Sequence, residues 1–326
     1  MPTHLPLDYD KRLMLFAGRS STALATSIAA RLGLEPGPVD LETYASGEMY
    51  CRYEESVRGA DVFVVQSLAS TRDGTLSLND ALMELVLMID AAVGASAHRV
   101  IAVIPWFGYS RQDMKSRLRE PISARAVARM LESVGVSRVL TVDLHTGQAQ
   151  GFFRRPVDHM TSLHMLTDDL RGRLPADAVV VAPDAGRVKL AKKFATLLGA
   201  ELAILDPEAE NADHRVIGDV TGRTVVVVDD ILDTGRTLTR AVGALRDSDV
   251  TAINAVAIHP ILSPGTVERV DALGVAELLA TDTVPVPDQA PAALRVVSCA
   301  SLLADTIHRI FTDDSVAAAF GGDNIL

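Results

Sequence analysis

At 326 residues, 48% hydrophobic and only 4% aromatic, the chain is long enough for about two domains built on aliphatic cores. Its net charge of -11 argues against a nucleic-acid partner, which needs a basic face, but leaves room for a local basic pocket. Cys51 and Cys299 are the only cysteines, and their number and spacing suggest neither a disulfide framework nor a zinc site. Residues 1–11 lack the apolar stretch of a secretion signal, and apolar runs such as 92–97 are far too short to cross a bilayer. The expectation is a reduced cytoplasmic protein with no membrane partner.

In chain order, residues 12–17 read as a short strand. Ser20 or Ser21 is placed to cap the helix that follows, with Leu24, Ile28 and Leu32 on its apolar stripe and Gly33 as its stop. Residues 61–66 form a second strand. Residues 78–92 carry a helical stripe with Leu82, Leu85, Leu87 and Ile89. Further buried strands are expected at 100–104, 139–142, 179–181, 225–228 and 253–258, with helices at 122–134 and 188–198. Such alternation predicts an α/β fold: parallel sheets with helices on both faces. Arg154-Arg155-Pro156 interrupts the pattern, so the expected domains are 1–155 and 156–326. Both Val142-Asp143 and Val228-Asp229 end an apolar strand in Asp, a faint echo that two related halves would explain.

Residues 225–237, Val-Val-Val-Val-Asp-Asp-Ile-Leu-Asp-Thr-Gly-Arg-Thr, are the most informative stretch. Four consecutive Val predict a strand buried on both faces. The carboxylates of Asp229 and Asp230 close it. Asp233, Thr234, Gly235, Arg236 and Thr237 then form a turn, and Leu238, Ala241, Val242 and Leu245 recur at helical spacing. The turn offers backbone N–H groups and a helix N-terminus to a phosphate. The Asp pair can accept hydrogen bonds from ribose hydroxyls or hold a hydrated Mg²⁺.

Ligands of open α/β sheets bind beyond the carboxyl ends of the strands. Three more polar clusters fall at such ends. Residues 105–113 offer aromatic surface, the Arg111 guanidinium and the Gln112 amide, suited to an adenine and its phosphates. Residues 143–147 include His145, and residues 182–187 include Asp184, either of which can meet a cation.

With these clusters in view, the chain resembles the ribose-phosphate pyrophosphokinase (phosphoribosyl pyrophosphate synthetase) family over nearly its whole length. The turn at 229–237 alone would indicate only a phosphoribosyl-diphosphate site. The segments at 56–63, 105–113, 141–145, 150–153 and 217–220 point to the synthetase. The resemblance implies two similar, doubly wound parallel-sheet domains of phosphoribosyltransferase type, with the last helix packing back on the first domain. It implies transfer of the diphosphoryl group of ATP to the 1-hydroxyl of ribose 5-phosphate, with Mg²⁺, giving phosphoribosyl pyrophosphate and AMP in nucleotide biosynthesis. It makes Tyr44, Ser46, Gly47 and Glu48 the adenine grip of a neighbouring subunit. Arg111, Gln112 and His145 become ATP contacts, with Arg111 and His145 catalytic. His145 and Asp184 become metal positions, and Asp229, Asp230 and Asp233 to Thr237 the ribose 5-phosphate loop. It also implies a homo-oligomer built from dimers, up to a hexamer, or a hetero-oligomer with an active synthetase.

Two departures stand out. Arg236 follows Gly235 where the family has a smaller residue, a minor change. More seriously, the family carries a flexible loop with a catalytic Lys and Arg before Ile217, whereas here residues 206–215 read Asp-Pro-Glu-Ala-Glu-Asn-Ala-Asp-His-Arg, short, acidic and without Lys. Lys189, Lys192 and Lys193 are the expected substitutes. Failing them, the loop predicts slow turnover with substrate binding intact, and the alternative function is a catalytically weakened, synthetase-like binding or regulatory subunit.

Overall fold

The computed structural model describes residues 11–206 and 215–316. Two parallel sheets organise them. The first contains β1 (Leu13–Ala17), β4 (Asp61–Val65), β5 (Arg99–Ile104), β6 (Arg138–Val142) and β7 (Val157–Met160), in that spatial order. An antiparallel hairpin of β2 (Val39–Thr43) and β3 (Met49–Tyr53) stands apart from it. The second sheet holds β8 (Val179–Ala182), β9 (Glu201–Asp206), β10 (Arg215–Ile217), β11 (Thr224–Leu232), β12 (Ala252–Pro260), β13 (Glu277–Thr281) and β14 (Leu294–Val297). Its order is β10-β9-β8-β11-β12-β13-β14, parallel except for β10.

Both sheets are covered on both faces, and alternation along single strands decides which side chain goes where. On one face of the first sheet, Phe16, Val62 and Val64 pack with Leu85 and Ile89 of α2 (Leu78–Gly94) and Val127 and Leu131 of α3 (Ser123–Ser133). On the other, Leu15, Phe63 and Val65 meet Leu24 and Ile28 of α1 (Thr22–Arg31) and Leu303 and Ile307 of α8 (Ala300–Phe311). In the second sheet Val225 and Val227 join α6 (Arg236–Arg246) and α7 (Thr266–Leu273). Val226 and Val228 join α4 (Leu163–Leu170) and α5 (Val188–Leu198), where Phe194 is fully buried. The four-Val run is thus buried on both sides, as its composition predicts.

The expectations need three amendments. The strand does not close at Asp229: β11 continues through both carboxylates to Leu232, because β12 keeps pairing with it as far as Leu232 opposite Pro260. Neither Ser20 nor Ser21 caps α1 with its side chain. Both are drawn into a buried cluster instead. Ser20 Oγ donates to Gln66 Oε1 (2.7 Å) and to the Ser67 carbonyl (2.6 Å), while Ser67 N–H donates to Ser21 Oγ (2.7 Å). The interruption at 154–156 precedes the last strand of the first sheet, β7, which pairs with β6, and the second core begins at Leu163. The two Asp residues of the echo do different work: the Asp143 carboxylate accepts from the backbone N–H and hydroxyl of Ser162 at 2.7 and 2.6 Å. Segment 207–214, where slow turnover was expected to originate, lies outside the described residues.

The two sheets meet through polar contacts. His259, at the end of β12, donates from Nε2 to the Asp143 carbonyl (2.9 Å). Its Nδ1 then accepts from the Thr283 hydroxyl (2.8 Å), and its ring lies 4.6 Å from that of Trp106. Ser67 Oγ donates to the Thr283 carbonyl at 2.5 Å. Burial pushes the His259 pKa down, in keeping with the neutral ring this arrangement requires. These contacts hold the loops after β4, β5 and β6 over the strand ends of the second sheet.

Candidate active site

Sheet order locates the site. From β8 the chain moves outward to β9 and β10, then returns to place β11 on the other side of β8. Connections leave these two neighbouring strands in opposite directions, which opens a crevice at their carboxyl ends. The first sheet adds β4 to β7 in one direction from β1 and has no such reversal. A cavity of about 200 Å³ lies at the reversal, lined by Arg111, His145, Asp184, Arg187, Asp229, Asp230 and residues 231–238 among others. Three of the four strand-end clusters from separate parts of the sequence therefore converge on the fourth.

The turn after β11 is built to receive an anion. Gly235 sits at φ 73°, ψ 2°, the left-handed region that side-chain-bearing residues avoid. α6 starts at Arg236, so the first backbone N–H groups of the helix have no partners within it. Neighbouring residues fix the turn from outside. Thr266 Oγ1 donates to the Asp233 carbonyl (2.6 Å), Arg269 donates to the Thr234 carbonyl, and Ser263 donates to the Asp233 carboxylate. Asp233 also accepts from Arg111 Nη1 at 2.7 Å. Burial opposes the Asp233 charge, but Ser263 and Arg111 outweigh it and hold that carboxyl below its usual value.

At the other end lie Asp229 and Asp230. Burial and the neighbouring Asp230 charge push the Asp229 carboxyl up. Burial acts on Asp230 as well, but His145 and Arg187 prevail and pull that carboxyl down. His145 Nδ1 lies 2.7 Å from Asp230 Oδ2, leaving its Nε2 for another partner. Asp184 accepts from the backbone N–H of Arg187 (3.2 Å), capping the short turn before α5.

Gln112 does not line the cavity; its amide oxygen accepts from Ser123 at the start of α3. Tyr44, Ser46, Gly47 and Glu48 form the exposed tip of the β2–β3 hairpin, away from the cavity. That hairpin is anchored on α2 by the Tyr53 hydroxyl, which donates to the Met88 carbonyl (2.8 Å). Of the expected substitute cations, Lys189 and Lys192 are exposed on α5 and Lys193 is half-buried; none of the three lines the cavity. Besides Arg111 and Arg236, the cavity is reached by Arg187, within the 182–187 cluster yet without a role in the sequence reading. Its Nε lies 3.1 Å from Asp229 Oδ1 and 3.2 Å from Asp230 Oδ1.

No group of three or more His, Cys, Asp or Glu among the described residues could cage a metal. Mg²⁺ needs no such cage, because it keeps several waters and takes its remaining ligands from one or two carboxylates and substrate phosphates. Asp184, with His145 across an open cavity, fits that coordination.

Together the reversal, the anion-binding turn and the twin sheets define a two-unit, doubly wound α/β protein of phosphoribosyltransferase type. A family model described as the N-terminal domain of ribose phosphate pyrophosphokinase matches residues 13–135. A second, the phosphoribosyl synthetase-associated domain, matches residues 210–321. The ribose-phosphate pyrophosphokinase of Corynebacterium efficiens is 44% identical over 321 residues, covering 96% of this chain and 97% of that protein. The Mycobacterium tuberculosis enzyme of the same name is 43% identical over 325 residues, covering 97% and 98%. The crystal structure of phosphoribosylpyrophosphate synthetase from Mycobacterium smegmatis superposes with a TM-score of 0.87 at 42% identity, covering 93% of this chain and all of that one. The chain belongs to the ribose-phosphate pyrophosphokinase family.

Proposed function

We propose that this chain is a ribose-phosphate diphosphokinase, moving the β,γ-diphosphoryl group of ATP to the 1-hydroxyl of ribose 5-phosphate and releasing AMP. The observation that carries the reading is the single cavity with an anion-binding turn at one end and a carboxylate pair at the other. The 5-phosphate sits on the N–H groups of 234–237, and Asp229 and Asp230 accept from the ribose hydroxyls. Arg111 faces the nucleotide phosphates while its bond to Asp233 ties the nucleotide wall to the sugar turn. Held this way, the hydroxyl and the β-phosphorus meet in line, so catalysis rests on positioning and charge neutralisation. Asp184 and His145 would hold Mg²⁺ together with the substrate phosphates, and the ion would supply positive charge against the triphosphate. The exposed hairpin tip of Tyr44, Ser46, Gly47 and Glu48 serves adenine in a neighbouring subunit, which makes the working form a homo-oligomer.

Two measurements test this: AMP release from ATP with ribose 5-phosphate and Mg²⁺, and calorimetric binding of ribose 5-phosphate to wild type and to Asp229→Ala/Asp230→Ala. The expected result is ribose 5-phosphate-dependent AMP release by wild type and lost sugar-phosphate affinity in the double variant. Equal affinity in the two proteins would remove the sugar from this site.

A further inference from the structure

The loop that carries His145 begins in a conformation it would not keep unaided. β6 ends at Val142, and Asp143 turns the chain at φ 38°, a left-handed value that side-chain-bearing residues avoid. Its own groups fasten the turn to β7 and to the entrance of α4. The Asp143 N–H donates to the Met160 carbonyl (2.8 Å), and its carboxylate accepts from Ser162. The next peptide unit joins Asp143 to Leu144, and its partners among the described residues are two histidines. The Asp143 carbonyl accepts from His259 Nε2 (2.9 Å), and the Leu144 N–H donates to His159 Nε2 (2.8 Å).

A trans peptide points its C=O and N–H in opposite directions, so the two rings take it from opposite sides. They also come from different sheets. His159 lies on β7 opposite Thr141 of β6, and refers the loop to the first sheet. His259 lies on β12 opposite Ile231 of β11, one residue beyond Asp230, and refers it to the second. The two bonds demand complementary rings. His259 carries its proton on Nε2 and accepts at Nδ1 from the Thr283 hydroxyl (2.8 Å). His159 leaves Nε2 bare and carries its proton on Nδ1, which faces the Gln150 side-chain amide at 3.2 Å. Burial lowers both pKa values, in keeping with two neutral rings. The residue after Leu144 is His145, whose Nδ1 meets Asp230 Oδ2 at 2.7 Å. A closed circuit results: from His145 through the clamped peptide to His259, across the β12–β11 pairing to Asp230, and back to His145.

We propose that His159 and His259 are paired positioning residues: together they fix the plane of the Asp143–Leu144 peptide and so aim the His145 ring between Asp230 and the nucleotide. The proposal deepens the diphosphokinase reading and rests on it for the task that His145 performs. Fixing a peptide plane sets ψ of Asp143 and φ of Leu144, and with them the direction in which the chain delivers the side chain of His145. Either ring alone leaves the plane free to swing about the remaining hydrogen bond. Neither ring lines the cavity, so both act through the loop and not by touching substrate. The arrangement also makes the two rings one unit. Release of one frees the peptide, and release of the second adds little.

Wild type, His159→Leu, His259→Leu, the double Leu variant, His159→Gln and His259→Gln are compared in two assays. One is hydrogen–deuterium exchange of the segment 143–147; the other is AMP release from ATP with ribose 5-phosphate and Mg²⁺. Gln offers an amide nitrogen in place of His259 Nε2 and an amide oxygen in place of His159 Nε2, whereas Leu fills the space with neither. Each Leu variant should speed exchange at 143–147 and lower kcat by about 10- to 100-fold, the scale of a misplaced catalytic group, with little change in KM for the sugar. Each Gln variant should recover most of that kcat, because it restores the hydrogen bond to the peptide. The double Leu variant should match the worse single variant, not the product of the two losses. Where a Leu variant does not fold, Asn takes its place, since its amide matches Nδ1 and stops short of the peptide. Unchanged exchange at 143–147, an unchanged kcat in the Leu variants, Gln no better than Leu, or losses that multiply in the double variant would each overturn the proposal. Failure of the diphosphokinase reading is separately visible: wild type would release no AMP, and exchange at 143–147 would then decide the clamp by itself.

Discussion

Gly235→Ala isolates what the turn contributes. Gly235 holds φ 73°, and a Cβ there meets Thr266 Cγ2 at 3.5 Å, Arg269 Cδ at 3.6 Å and Val270 Cγ2 at 3.7 Å. Those are ordinary contacts, so the new methyl group fits. What remains is the backbone cost of a side chain in the left-handed region, about 1–2 kcal/mol. That cost must appear in one of two places. If the turn keeps its shape, the folded state bears the strain, unfolding becomes easier by about 1–2 kcal/mol, and phosphate affinity is unchanged. If the turn relaxes, stability is nearly unchanged and the ligand must restore the geometry, so affinity for ribose 5-phosphate falls about 5- to 30-fold. Urea unfolding and calorimetry on one protein preparation measure both, and the two losses should sum to about 1–2 kcal/mol. A variant that matches wild type in both would refute the account of the turn as a strained cradle that glycine alone permits.

Arg111→Ala should weaken ATP about tenfold, the lower end of a charge-assisted contact because the side chain is half exposed; ribose 5-phosphate binding should remain within a few fold, and equal loss of both ligands in titrations would contradict it. Acid should loosen the first sheet through Asp61, whose side chain is fully buried. Burial would raise that carboxyl, but hydrogen bonds from Arg99 and His98 and the charges of Arg99 and Lys11 hold it below its usual value. A carboxyl lowered by folding contributes stability that is present above the unfolded-state pKa of about 3.9 and is lost as pH falls through the lower, folded value. Asp61→Asn should therefore flatten the decline of unfolding free energy between about pH 5 and pH 2, and an unchanged acid slope would exclude Asp61 as its source.

What the sequence shows and what it conceals follow from the physics of each element. Strands β1, β4, β5, β6, β8, β11 and β12 are legible because a parallel strand covered on both faces is a run of Val and Ile. The hairpin of β2 and β3 is not, since it packs only on the margin of the first core and its side chains are partly buried or exposed. Strand β9 alternates partly buried and buried positions near the sheet flank, which is a weak signal over six residues. The turn at 233–237 and its Asp pair could be read locally because strand, carboxylates, left-handed Gly235 and helix start follow one another within a single stretch of sequence. Arg187 could not. Its meaning depends on β8 lying beside β11, a consequence of strand order that leaves no mark near residue 187. The serine cluster went astray for the opposite reason: Ser20 and Ser21 have ideal capping chemistry, but partners 46 residues away outcompete the helix.

The position of α8 has a consequence for how the protein comes into being. This helix, made last among the described elements, covers the same face of the first sheet as α1, with Cys299, Leu303 and Ile307 fully buried there. Strands β1, β4, β5 and β6 leave the ribosome long before their cover exists. At about 5–20 residues per second, the interval between β6 and α8 amounts to roughly 10–30 s of synthesis. During that time Leu15, Phe63, Val65 and Val103 have α1 on only part of their face. The opening half of the chain must therefore wait for its closing residues. A ribosome stalled after β14 would present a finished phosphate turn beside a sheet still open to solvent and to chaperones.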